Sequence, residues 1–386
     1  MKLIVNLKLK PLESQRTALL QTLEKANEAA NWISEQAFQH KIFKQFHLHK
    51  IVYKETKERF NLTAQMVVRL ISKVADSYKI QTKKQTFFKK HGSIAYDDRI
   101  IRFKPNDLVN LWTVEGRLNI PFVMGEYQRK LFEHRKGEVD LIYRKGQFFL
   151  NCVCDVPEDS PLIPNDVIGV DFGIVNLATD STGETFTGSE VERVRQKYSK
   201  LRQTLQHKAS KQSQSGKRPR SIHKLLKRLG GREKNFRNLE NHRIAKNLVN
   251  KAKAQNCALA LEDLSGIRKR TEKRLRKSQK ARHSGWSFFE LRSFVEYKAK
   301  LQGVPVYPVD PRNTSRTCSA CGHCEKANRK SQSEFVCVNC HYSTNADYNA
   351  SKVIRSRAIV NLLQSSESVD FQKVNVSTGL KPSAYS

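Results

Sequence analysis

No stretch of this 386-residue chain comes near the ~20 consecutive apolar residues that a membrane-spanning helix needs. The opening segment, MKLIVNLKLK, alternates apolar with polar residues, so it lacks the apolar centre of a secretory signal peptide. Acidic residues are scarce beside basic ones, 37 Asp and Glu against 70 Lys and Arg, for a formal net charge of +33. That excess makes a polyanion the expected partner, with nucleic acid first. A disulfide framework is missing as well. Of the 8 cysteines, four lie in two Cys-x-x-Cys pairs, Cys152 and Cys154 share an apolar strand, Cys257 opens another, and Cys324 follows the first pair. Such usage suits a reducing cytoplasm. No internal repeat is evident, and the length accommodates two or three domains.

What is present begins with a one-sided strand, Leu3, Val5, Leu7 and Leu9 alternating with polar residues. Pro11 opens a helix with an apolar stripe from Leu19 to Ala37. A second helical region is expected over residues 50–88, where Leu62, Met66, Leu70 and Val74 keep helical spacing. Its charges, Arg69, Lys73, Lys79, Lys83 and Lys84, suit either a solvated face or contact with a nucleic-acid backbone. From Ile94 the pattern turns to strands, with hairpin turns at 115–117 and 144–146. Together with the first strand these could close a small antiparallel barrel. Residues 157–166 read as a linker, with three prolines.

Three acids then stand out by their settings. VIGVDFG is an apolar strand carrying Asp171 near its end, and an unpaired carboxylate there is costly without a partner such as a metal. A turn-capping Asp is the plainer alternative. Basic helices fill residues 192–253. CALALEDL is a second short apolar strand, ending in Glu262. Asp263 competes with it, but strand alternation points the two to opposite sides. A basic run, 268–282, suits a mobile loop or a nucleic-acid contact. After an amphipathic helix over 286–302 and a strand over 304–309 come the cysteine pairs, Cys318/Cys321 and Cys337/Cys340. Gly322 and His341 follow them as knuckle residues. Four such thiolates can surround one Zn2+ tetrahedrally, with Cys324 and His341 as competing ligands. Thr344 or Asn345 then caps a helix that carries Asp347 in its first turn. Beyond residue 364 the chain is Ser-rich and polar, as a disordered tail would be.

Carboxylates on a strand, a second strand and a helix start, in that order, are the layout of an RNase H-like fold. Three such acids can hold two Mg2+ ions for phosphodiester hydrolysis: Asp171 bridging, Glu262 on one ion, Asp347 on the other.

The stretches GVDFGIVNLAT, ALEDLSGIR, SGWSFFELRSFVEYKAKLQG, DPRNTSRTCSACGH, FVCVNC and NADYNASKVI resemble the TnpB (OrfB) family of transposon-encoded nucleases, related to the type V CRISPR effectors. They cover most of residues 165–355, in family order. The resemblance implies an α+β multidomain protein. A wedge-like β-barrel would occupy 1–10 and 92–160, and a helical recognition insert 11–91. A RuvC-like nuclease domain would occupy 165–317 and 341–363. A zinc ribbon that binds target nucleic acid would span 318–340, with the tail at 364–386. It implies an RNA-guided DNA endonuclease, a monomeric protein carrying a guide RNA from the transposon end and acting on double-stranded DNA beside a short motif. The family's catalytic acids fall on Asp171, Glu262 and Asp347. Asn61 and Gln65 match a helix that reads the adjacent motif, and Gln can pair bidentately with adenine; an exposed helix Gln is the plainer alternative. The implied location is the bacterial cytoplasm and nucleoid. Competing functions are a guided repressor, a compact CRISPR effector and a DNA-strand transposase. The presence of all three acids argues against the first.

Overall fold

The computed structural model describes residues 1–216, 218–263 and 288–377, with side chains described as far as 362. The basic run at 268–282 lies outside the described residues. The chain divides into two compact units, Met1–Pro157 and Glu158–Ser386, so the break falls at the first of the linker prolines.

The first unit opens with β1 (Lys2–Leu9), followed by helices α1 (Glu13–Gln39), α2 (Gln45–Phe60) and α3 (Ala64–Ile80). The single helical region expected over 50–88 is thus two helices, beginning earlier and ending sooner. Asn61 separates them with a left-handed backbone, φ 46°, which Asn tolerates better than most residues. Strands β2 (Ile94–Tyr96), β3 (Ile101–Lys104), β4 (Leu108–Thr113), β5 (Gly116–Val123), β6 (Arg135–Arg144) and β7 (Gln147–Asp155) join β1 in one antiparallel sheet, ordered β2-β6-β7-β1-β5-β4-β3. The edges are two consecutive strands, so the sheet bends back on itself. The Tyr96 hydroxyl on β2 donates to the Trp112 carbonyl of β4 at 2.9 Å. No ladder joins β2 to β3 among the described residues, so the expected barrel stays open along that seam. Alternation along β1 buries Val5, Leu7 and Leu9 against the helices. Helix α4 (Glu126–Phe132) was not expected from the sequence. It is only seven residues long, and it packs Leu131 and Phe132 on the core without fully burying either, which leaves too short a pattern to read.

The second unit is built on a five-stranded mixed sheet. Its strands are β8 (Asp166–Asp171), β9 (Asn176–Asp180), β10 (Thr185–Thr187), β11 (Cys257–Glu262) and β12 (Val306–Val309), ordered β10-β9-β8-β11-β12. β8, β11 and β12 run parallel, and β9 and β10 are antiparallel additions. Between β10 and β11 lie α5 (Ser189–Gln214), α6 (Arg220–Leu229) and α7 (Arg232–Ala254), then α8 (Phe288–Leu301) follows β11. α5 ends at Gln214 and α6 begins at Arg220, and Gly230 and Gly231 separate α6 from α7. β11 is buried at every position, as a central parallel strand must be. One face packs Ile168, Val170, Leu259 and Leu261 against α7 and α8. The other packs Val167, Ala258 and Ala260 against Ile354 and Ala358 of α9 (Ala346–Ser377). Helix α9 continues past residue 364, where composition suggests that a disordered tail begins.

Between β12 and α9 sits a small cysteine-bearing ribbon, with strands β13 (Glu334–Val336) and β14 (Ser343–Asn345) paired antiparallel. It reaches Asn345, beyond residue 340. Among the described residues no helix is long and apolar enough to cross a membrane.

Candidate active site

Asp171 ends β8 and Glu262 ends β11. The two strands are parallel neighbours with Val170 opposite Leu261, so both acids leave the sheet at the same carboxyl edge, where open α/β sheets bind ligands. Asp347 reaches that edge from the other side of the sheet. Asn345 caps α9, its Oδ1 accepting from the backbone N–H of Asp347 at 3.0 Å and of Tyr348 at 3.2 Å. Of the two caps that the sequence offers, Thr344 and Asn345, the helix uses Asn345. Arg355 locks the helix down, forking onto Asp166 at 2.7 and 2.9 Å and donating to the Val167 carbonyl at 3.0 Å.

Each acid has different company. Glu262 and Asp347 are each 7% exposed. Glu262 accepts a short hydrogen bond from the Thr314 hydroxyl. Asp347 accepts from Asn176 Nδ2 at 2.8 Å and faces Arg329 Nη2 at 3.7 Å. Asp171, half-buried, receives no hydrogen bond or ion pair on its carboxylate among the described residues. Its burial, then the nearby charges of Glu262 and Asp347, push its pKa well above the usual carboxylate range, and Arg329 opposes the shift. Burial also raises Glu262, against the pull of the Thr314 hydroxyl. Asp263 turns away: it is exposed and pairs with Arg292 at 3.1 Å. The three acids converge without making a single-ion cage. Among the described residues the only set of three or more ligand atoms lying mutually within 4.8 Å is the cysteine quartet.

That quartet is Cys318, Cys321, Cys337 and Cys340. Sγ–Sγ separations are 3.7 Å for Cys318–Cys340 and 3.6 Å for Cys321–Cys337. Sulfurs about 2.3 Å from one tetrahedral zinc stand about 3.8 Å apart, so the donor set fits. The two pairs are built alike. Gly322 and His341 both take left-handed backbones, φ 76° and 58°. Their N–H groups bond the carbonyls of Cys318 and Cys337, each at 3.0 Å. Cys324 and the imidazole of His341 stay outside the set.

Arg329, Asn176, Thr314 and Arg355 were not singled out from the sequence. One Arg among 70 basic residues gives no signal, and Asn176 and Thr314 sit in ordinary turn and strand-start contexts. Asn61 is exposed between α2 and α3. Gln65 is occupied: its Nε2 donates to Asp97 and its Oε1 accepts from Arg99 at 2.9 Å.

Two family models match. The "Probable transposase" model (OrfB, IS605 type) covers residues 151–268, and the "Cas12f1-like, TNB domain" model covers 288–354. The chain is 31% identical over 220 residues to the CRISPR-associated endodeoxyribonuclease Cas12f1 of Sulfoacidibacillus thermotolerans, covering 55% of this chain and 50% of that protein. It is 29% identical over 244 residues to the TnpB-like protein MJ0751 of Methanocaldococcus jannaschii, covering 58% of this chain and 81% of that protein. Among solved structures, the Cas12f1 chain of a Cas12f1–sgRNA–target DNA complex superposes with TM-score 0.58 at 17% identity, covering 89% of this chain and 83% of that one. The overall fold is therefore of that kind.

Proposed function

Because the chain belongs to the TnpB (OrfB) family, related to the type V CRISPR effectors, we propose that it is an RNA-guided DNA endonuclease with one carboxylate site for two divalent ions. The observation that carries the reading is Asp171. Its carboxylate feels the charges of Glu262 and Asp347 and has no hydrogen bond or ion pair among the described residues, an arrangement that is costly unless a cation joins it. Hard oxygen donors suit Mg2+, which keeps several waters and needs few protein ligands. The strand order, three antiparallel strands with two parallel ones added, supports a RuvC-like, RNase H-type nuclease domain.

Asp171, Glu262 and Asp347 would hold the ions between them. When bound, the ion pair supplies an activated water and stabilises the leaving 3′ oxygen of a phosphodiester. The chain's own groups prepare that site. Thr314 holds Glu262, and Asn176 orients Asp347. Arg329 offsets part of the negative charge and places a guanidinium where a phosphodiester must approach. The near-complete burial of Glu262 and Asp347 lowers the local dielectric around them.

The cysteine quartet would hold one structural zinc. The curated Cas12f1 relative is matched over only half of its own length, so activity and partners are carried over as part of the proposal. They are a guide RNA from the transposon end and double-stranded target DNA. Base pairing would supply the specificity while the protein grips the heteroduplex backbone, a task that a net charge of +33 serves. Reading of a motif beside the target would fall to the first unit. There Gln65 must release Asp97 or Arg99 before its amide can meet a base.

Sequencing of copurified RNA, followed by challenge of a matched plasmid library in Mg2+, tests the reading. Cutting is expected in the native protein and lost in Asp171→Ala with RNA binding retained. Cutting that persists in Asp171→Ala refutes the assigned site. The second reading, a guided repressor, predicts target binding without cutting. Convergence of all three acids at one sheet edge favours the nuclease.

A further inference from the structure

Asn349 lies two residues past Asp347 on α9 and is fully buried. Residues two apart on a helix, at 3.6 residues per turn, face nearly opposite sides. Asp347 looks to the sheet edge, where Asn176 and Arg329 meet it. Asn349 looks to the cysteine ribbon. Its Nδ2 donates to the Thr317 carbonyl at 2.8 Å, and its Oδ1 accepts from the Ser319 N–H at 3.0 Å. Those two peptide groups flank Cys318. A single amide therefore grips the backbone on both sides of a zinc-site cysteine, and it does so from the turn that carries a site acid.

A second fully buried amide, Asn328, repeats the device inside the ribbon. Its Nδ2 reaches the carbonyls of Arg316 at 2.9 Å and His323 at 3.1 Å, and its Oδ1 accepts from the Val338 N–H at 2.9 Å. It ties the two cysteine pairs together. The next residue is Arg329, whose guanidinium faces Asp347. The one ribbon group that approaches Asp347, Arg329, thus follows directly on an amide that ties the cysteine-bearing backbone together. Ala346 completes the join, buried with Cys318, Phe335 and Cys337.

We propose that Asn349 is a positioning residue for Asp347: it fixes the first turn of α9 to the peptide groups around Cys318, so that the cysteine cluster sets where the Asp347 carboxylate sits. The ribbon is then part of the divalent-ion site, acting through this amide. The proposal rests on the reading of Asp171, Glu262 and Asp347 as a divalent-ion site. Buried hydrogen bonds of this kind are satisfied only in one geometry, and losing one leaves peptide groups unpaired.

The test uses the full chain and reads metals rather than cutting alone. Zinc content is measured by elemental analysis, and Mn2+ binding by electron paramagnetic resonance, for the native protein, Asn349→Ala and Asn349→Asp. Asp171→Asn serves as the control for the acid site. The expected result is native zinc content in both Asn349 variants, with Mn2+ affinity weakened about tenfold in Asn349→Ala, the usual scale for outer partners of metal ligands. Asn349→Asp retains the acceptor for Ser319 but sets a carboxylate oxygen against the Thr317 carbonyl, so it is expected to lose at least as much. Should one variant fail to fold, the other carries the measurement. Native Mn2+ affinity in the Asn349 variants overturns the proposal, and so does loss of zinc from both, which would make Asn349 a part of the ribbon's own folding. If Asp171→Asn leaves Mn2+ binding of the native protein intact, the divalent-ion reading itself is wrong.

Discussion

A Cβ on Gly169 would lie 2.2 Å from the carbonyl oxygen of Ser351. Gly169 is the centre of β8, two residues before Asp171, and Ser351 is one turn past Asp347 on α9. The backbones of strand and helix touch there because neither carries a side chain in the gap. The close approach brings the helix-borne acid down to the strand-borne one. Any larger residue at 169 must lift the helix, since the backbone of Arg355 also stands 2.5 Å from that Cβ position.

Gly169→Ala is therefore expected to lower stability by about 1–3 kcal/mol, the usual cost of overpacking, and to reduce cutting more than that loss accounts for. Chemical denaturation gives the first quantity, and plasmid cleavage by the fraction still folded gives the second. Native cleavage per folded molecule would mean that the strand–helix distance does not matter to the site.

Asp171 sets a pH dependence whose sign is fixed by its surroundings. Burial, Glu262 and Asp347 raise its folded pKa, while in the unfolded chain it stays near 4. Between those two values the folded protein binds more protons, so stability falls as pH rises through that window. Without divalent ions, Asp171→Asn is expected to raise the melting temperature at pH 7 and to flatten its decline with pH. Added Mg2+ should stabilise the native protein and leave the variant nearly unchanged. A variant melting below the native protein at pH 7, without metal, would contradict this account.

The cysteine quartet predicts a graded thiol response. Cys337→Ser should lose bound zinc, and with it the folded ribbon, because structural zinc sites contribute folding energy directly. Cys324→Ser should keep zinc, since Cys324 is exposed and outside the quartet. Elemental analysis of the two purified proteins decides it, and equal zinc loss in both would place Cys324 among the ligands.

Much of the site was legible without coordinates. Asp171 is the single charge at the end of a short apolar strand, and alternation picks Glu262 over Asp263 at the end of another. The two Cys-x-x-Cys pairs announce themselves by spacing. What could not be read were groups whose role depends on distant partners. Nothing near Asn176 hints that it meets Asp347, 171 positions away. Arg329 is one cation among many, and α4 is only seven residues long.

The linear order of residues determined which carboxylates and thiols exist and which local elements carry them, because caps, alternation and turn residues act over a few positions. Only the tertiary structure decided that Asp171 lies near two other acids with no partner among the described residues, that Gln65 is already engaged, and that Asn349 joins the ribbon to α9. Each of these depends on which groups exclude water from one another after packing. That is a property of neighbours in space, and no short stretch of chain encodes it.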